Sequence, residues 1–250
     1  MALDLALVIG VLILASAVLY SSVGHGGGSG YLAIMALFAV SPEVMRPAAL
    51  VLNIAVASVA TWTYYRRGAF SWAVLWPFAL TAVPLAFIGG QVTLPGIYYK
   101  PLLAVVLLYS AFYLFSPRSV PNDDPELQPT VAPALAAGGG MGLLAGLTGI
   151  GGGIFLSPLL LFKGWSSTLK TSGVASAFIL LNSSAGLAGQ ASSVSAVPWV
   201  ALTVWVPLAL AGGYVGSRYG SRVTRTKVIY RLLAVVLVIA AAKLLLTLSD

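Results

Sequence analysis

Residues 21–38 read SSVGHGGGSGYLAIMALF. Five glycines and the chain's single histidine interrupt an apolar run that begins at Leu3. The apolar piece that resumes, residues 31–40, is about half the length that a helix needs to cross a bilayer. This interruption decides the fold. Backbone amides and carbonyls cannot stay unpaired against lipid, so a helix broken at membrane depth is buried in protein or lines an aqueous cavity.

The surroundings establish that the depth is that of a membrane. Of 250 residues, 59% are hydrophobic and 8% charged, too few polar groups to cover a water-facing surface. Helix-length apolar segments recur at residues 3–23, 44–65, 72–90, 97–115, 131–148, 169–190, 199–217 and 227–248. The expected class is an all-α polytopic membrane protein whose first partner is the lipid bilayer. Ala15-Ser16-Ala17 resembles a signal-peptidase site, but no basic residue precedes the apolar stretch and Asp4 is acidic, so residues 3–23 are expected to stay as a helix. The net charge of +7 gathers between apolar runs, as in RYGSRVTRTKVIYR over residues 218–231, which marks membrane topology and no nucleic-acid partner. Without cysteine there is no disulfide framework or thiolate metal site, and one histidine makes no metal cluster, so no cofactor is expected.

The interruption occurs twice. Val23-Gly24-His25-Gly26-Gly27-Gly28 returns as Thr148-Gly149-Ile150-Gly151-Gly152-Gly153, and each copy precedes a short apolar piece ending in Leu-Phe, at Phe38 and Phe162. LLAVVL of residues 102–107 returns at 232–237, and Pro84 with Gly89-Gly90 is answered by Pro207 with Gly212-Gly213. An ordered set of matches argues for duplication: a first transmembrane repeat over residues 1–115, a polar linker over 116–130, and a second repeat over 131–250. Each repeat would hold a broken or re-entrant glycine-rich segment and three spanning helices. If the short pieces turn back as hairpins, the repeats are inverted; if they extend the preceding helix, the repeats are parallel. Inversion puts Arg66, Arg67, Arg118, Lys163, Lys170, Arg218, Arg222, Arg225, Lys227 and Arg231 on one side and leaves Arg46, Lys100 and Lys243 on the other. The parallel arrangement splits the basic residues less cleanly, so charge favours inversion.

A half-helix that starts inside a membrane is an anion site, because its first amides lack intrahelical acceptors and its dipole adds positive charge. Glycine lets an anion approach that backbone closely. Two such breaks in matching places point to a substrate site at the midplane of a transporter. The candidate substrate-binding residues are Ser22, Gly24, His25, Gly26, Gly27, Gly28 and Ser29 in the first break, and Thr148, Gly149, Gly151, Gly152 and Gly153 in the second. Asn53, Ser176 and Asn182, within spans, join them; like Ser183 and Ser184, they can bind substrate or bond to a neighbouring helix. His25 can bond an oxyanion, carry a coupled proton, or cap the broken helix. Arg46 and Lys170, at matching places after the short pieces, can draw an anion toward the pathway or reach for headgroups. Gly138-Gly139-Gly140 and Gly212-Gly213 are expected only to let helices pack closely.

Gly24-His25-Gly26-Gly27-Gly28, LTGIGGGIFLSPLL over residues 147–160 and Lys170-Thr171-Ser172-Gly173-Val174-Ala175-Ser176 resemble the sulfite exporter TauE/SafE family of membrane permeases over nearly the whole chain. The resemblance implies movement of small sulfur oxyanions such as sulfite, or of organosulfonates, across the bacterial inner membrane. It carries the family's glycine signatures onto Gly24, Gly26, Gly27 and Gly28 and onto Gly149, Gly151, Gly152 and Gly153, with the basic positions on Arg46 and Lys170. His25 and Ser29-Gly30-Tyr31 depart from the usual pattern. The expected activity is secondary transport, with export the preferred direction and proton coupling through His25. An anion channel or uniporter using the same donors is the alternative, and a homo-oligomer is an open partner. An intramembrane enzyme is disfavoured, since the spans hold no carboxylate pair, histidine cluster or nucleophile with a base.

Overall fold

The computed structural model describes residues 3–115, 128–190, 198–223 and 227–247, all of whose regular structure is helical. Ten helices follow one another: α1 (Leu3–Ser21), α2 (Gly28–Leu37), α3 (Pro42–Arg66), α4 (Trp72–Gln91), α5 (Gly96–Phe115), α6 (Val131–Thr148), α7 (Gly153–Phe162), α8 (Thr168–Gly189), α9 (Trp199–Val223) and α10 (Lys227–Leu246). Among the described residues, seven helices are long and apolar enough to cross a membrane: α1, α3, α4, α5, α6, α8 and α9. In α10 the stretch Ala234–Leu246 is apolar, and α2 and α7 have 10 residues each. Most of the expected linker, residues 116–127, lies outside the described residues, as do Arg118 and Arg225.

In lipid the helix is the only segment that satisfies its own backbone, which is why prolines do not end these elements. Pro47, Pro77, Pro84, Pro101, Pro158 and Pro207 all lie inside helices. The half-helices are expected to begin near Ser29 and Ile154, and both start one residue earlier, at Gly28 and Gly153. Gly28, Ser29 and Gly30 look like loop residues, yet each is buried and occupies the first turn of α2, where amides without acceptors are normal.

The two halves interlock. The chief neighbours of α1 and α4 are α9 and α6, and α3 packs on α8 as α5 packs on α10, so each of these interfaces joins residues 3–115 to residues 128–247. Small residues set the close approaches. Gly138, Gly142 and Gly146 recur every four residues along α6, and a methyl group on each would overlap the backbone of Phe78, Ala82 and Ala86, which recur every four along α4. Gly212 and Gly216 of α9 press likewise on Leu14 and Val18 of α1. The packing role expected of Gly138 and Gly212 holds; Gly139 and Gly213 meet side chains, and Gly140 faces open space. The largest core cluster runs through both halves, from Ile9 and Tyr31 to Trp205 and Leu244.

Candidate functional site

The interlocked packing brings the two glycine breaks into contact. Residues 22–27 lead from α1 to α2 and residues 149–152 from α6 to α7. Gly24, Gly27, Gly149, Gly151 and Gly152 have φ of 76°, 100°, 86°, 86° and 83°, the left-handed region where a side chain is strained. Gly27 and Gly152 are the N-caps of α2 and α7, and neither offers a side chain to accept from the first amides. Gly28 lies so close to the Ile150 carbonyl that even a methyl group would overlap it.

Asn53 of α3 sits where the breaks meet. Its Nδ2 donates to the Gly149 carbonyl at 3.1 Å. A methyl group on Gly26 would stand 2.9 Å from its Oδ1, and methyl groups on Gly28 and Gly151 would stand 2.7 and 3.1 Å from its Nδ2. The opposite wall is α8: Ile179 reaches Gly26, Gly151 and Gly153, Ser183 reaches Gly151, and Asn182 reaches Gly152. The helices that pair at the centre of the fold, α3 and α8, therefore hold the two breaks between them.

Polar groups here are unevenly satisfied. Among the described residues, the amides of Gly24 and His25 find backbone acceptors and those of Gly149 and Ile150 find Ala145 and the Thr148 hydroxyl. The amides of Gly26, Gly27 and Gly28, and of Gly151, Gly152 and Gly153, have no such acceptor. The carbonyls are treated differently. Tyr64 donates to those of Ser21 and Ser22, both at 3.1 Å. Tyr99 donates to that of Thr148 at 3.0 Å, and Tyr31 to that of Gly26 at 2.6 Å. The carboxamide of Asn182, wholly buried, has neither its oxygen nor its nitrogen paired, and Asn53 Oδ1 and Ser183 Oγ are also unpaired. Leaving such a group unmet costs about 1–3 kcal/mol.

The expected residues divide accordingly. Gly26, Gly28, Asn53, Gly151, Gly152, Gly153 and Asn182 converge, with the Gly149 carbonyl accepting from Asn53, whereas Gly24 backs onto Ser172, Gly27 onto the Tyr31 ring and Gly149 onto Arg46. Several hydroxyls turn to protein acceptors: Ser22 to Leu19 at 2.6 Å, Ser29 to the Tyr20 hydroxyl at 2.8 Å, Thr148 to Leu144 at 2.6 Å and Ser176 to Gly173 at 2.9 Å. His25 is buried, with Nδ1 3.2 Å from the Val23 carbonyl and its ring near those of Tyr20 and Tyr113, beside a cavity of about 10 Å³, room for about one water.

Arg46 is buried, and its guanidinium is committed to carbonyls: Nε to Gly146 at 2.9 Å, Nη1 to Val92 at 2.8 Å, and Nη2 to Gly90 at 2.9 Å and Gly146 at 2.6 Å, with Gly89 as a further acceptor. These carbonyls end α4 and α6, where helix dipoles favour a cation. Lys170 stands half-buried in the first turn of α8. Sequence reasoning gave no role to the hydroxyls of Tyr31, Tyr64 and Tyr99, whereas Ser183 stands among the in-span hydroxyls that can bind substrate or a neighbouring helix. The available signal was that a phenol buried in an apolar span must find an acceptor.

A family model described as sulfite exporter TauE/SafE matches residues 8–244. A probable membrane transporter protein, y4hK of Sinorhizobium fredii, is 36% identical over 233 residues, covering 92% of this chain and 94% of its own length. No solved structure matches.

Proposed function

Because the chain belongs to the sulfite exporter TauE/SafE family of membrane transporters, we propose that it is a secondary transporter that exports small sulfur oxyanions, such as sulfite or organosulfonates, across the bacterial inner membrane. The supporting observation is the polarity of the meeting point: the carbonyls of Ser21, Ser22, Gly26, Thr148 and Gly149 accept from side-chain donors, while the amides of Gly26–Gly28 and Gly151–Gly153 are left over. Two half-helix N-termini present these amides from different halves of the chain, so one oxyanion takes donors from both. The Asn182 amide and the Ser183 hydroxyl add neutral donors from α8. Neutral donors hold a partly dehydrated anion and release it without separating an ion pair.

The reading takes the halves as inverted repeats, with residues 1–115 and 131–250 rocking about the shared site to expose it to either side. His25, at the first break, carries the coupled proton. The test is a panel of sulfite, sulfate, thiosulfate, sulfoacetate and taurine, measured for binding to purified protein and for flux in vesicles. At least one sulfur oxyanion should bind and accumulate against its own gradient under an imposed proton gradient. Flux that only dissipates the anion gradient would replace the transporter by a channel or uniporter, and failure of every anion to bind would reject the site.

A further inference from the structure

The donors that occupy the break carbonyls raise a separate question. Helices α1 and α6 end inside the protein, and the C-terminal end of a helix carries partial negative charge. Unwound carbonyls at such ends are good ligands for small hard cations, so a broken-helix site can take a cation as readily as an anion. Here the carbonyls of Ser21 and Ser22 share the phenolic proton of Tyr64, that of Gly26 accepts from Tyr31 and that of Thr148 from Tyr99. All three tyrosines are essentially buried, at 2% exposure or less. They come from three helices, α3, α2 and α5, yet their hydroxyls find the same kind of acceptor. Packing alone does not explain them, since phenylalanine would fill the same space without a hydroxyl to desolvate.

We infer that Tyr31, Tyr64 and Tyr99 set the charge selectivity of the breaks, capping the carbonyls of Ser21, Ser22, Gly26 and Thr148 against small cations and leaving the amide ends for ligand. The inference rests on the anion-site reading above. It predicts that removing a phenolic hydroxyl does more than weaken the fold: it opens a carbonyl site that sodium can use. Tyr64 is the best place to look, because its hydroxyl covers two successive carbonyls.

The experiment compares wild type, Tyr64→Phe and Tyr99→Phe in detergent by thermal unfolding in sodium gluconate and in N-methyl-D-glucamine gluconate of equal ionic strength. Wild type should unfold at the same temperature in both. Each variant should gain a sodium-dependent rise of about 2–4 °C, the size expected when a ligand binds the folded state well above its Kd. Loss of stability without sodium dependence in both variants would mean that the hydroxyls are only structural, and a sodium response already present in wild type would equally overturn the inference. If Tyr64→Phe does not fold, Tyr99→Phe, which removes the bond to a single carbonyl, decides alone. A parallel arm adds N-methyl-D-glucamine sulfite to wild type. Absence of any response there counts against the anion reading, while the cation arms still judge the tyrosines.

Discussion

Gly24 and Gly149 both hold positive φ, at 76° and 86°, and so do Gly27 and Gly152, the caps of α2 and α7, at 100° and 83°. Between them stands His25 in the first break and Ile150 in the second. The half-helices that follow differ further. Helix α2 is buried from Gly28 to Ala36, is packed along α10, and has its last carbonyl, Leu37, bonded by Lys243 Nζ at 2.7 Å. Helix α7 buries five of its ten residues and ends at Phe162, which is 92% exposed. What both breaks share is a left-handed glycine at the first and fourth positions; Gly151 adds a third, at 86°, where Gly26 has none, and the side chains around the breaks differ further. The first half contributes the phenols and Asn53 that occupy carbonyls, and the second contributes the unpaired Asn182 and Ser183.

The sharpest way to break this comparison is at matched glycines. A methyl group on Gly28 meets the Ile150 carbonyl, which is backbone and fixed, whereas one on Gly153 meets the tip of the Ile179 side chain, which can move. Gly28→Ala should therefore prevent assembly of the two breaks and yield little monodisperse protein on size exclusion. Gly153→Ala should cost about 1–3 kcal/mol, as overpacking against a flexible neighbour does. Equal behaviour of the two would mean that the contact between breaks does not hold the fold together.

The next pair is Arg46 and Lys170. Arg46→Gln leaves the ends of α4 and α6 without the donors that serve Gly89, Gly90, Val92 and Gly146, at a cost of roughly 3 kcal/mol or more. Lys170→Gln, at the matching place, should cost about 1 kcal/mol or less and act on flux if it acts at all. Denaturation in detergent separates the two. Asn182→Leu should do the reverse of Arg46→Gln. It removes two unpaired buried groups, so stability should hold or rise by about 1 kcal/mol while anion affinity falls roughly tenfold or more. Ser176→Ala, whose hydroxyl is bonded to Gly173, is the control and should leave affinity unchanged.

The helices were legible in the sequence because lipid leaves few options: apolar runs of span length predict α1, α3, α4, α5, α6, α8, α9 and α10 to within a few residues at most ends. The glycine clusters were legible as breaks for the same reason, and their repetition signalled that they belong together. The interlocking of the halves was not, because which helix a Gly-x-x-x-Gly stripe meets depends on a partner that may lie far along the chain, as Gly142 meets Ala82. Arg46 shows the same limit. A cation at the start of a span reads as a surface charge, and only the tertiary fold brings the ends of α4 and α6 to its guanidinium. The tyrosines were hidden by their aromatic bulk, which suits a span, although their hydroxyls were the informative part.

The smallest expected effect tests the one chemical difference between the breaks. Imidazole is the side chain whose ordinary titration falls within the physiological range. If His25 carries the coupled proton, its protonated form adds positive charge beside the amides of Gly26–Gly28, so anion affinity should rise as pH falls. Glutamine in its place keeps a hydrogen-bonding amide of similar reach but cannot titrate. His25→Gln should therefore flatten the pH profile of binding and uncouple flux from an imposed proton gradient, with only a severalfold loss of affinity at neutral pH. An unchanged profile would leave His25 as a cap over the Val23 carbonyl, at 3.2 Å, and would remove the chemical difference between the two breaks. That outcome fits Ile150 as well, since a position that is apolar in one copy cannot be required by a donor plan that both copies share.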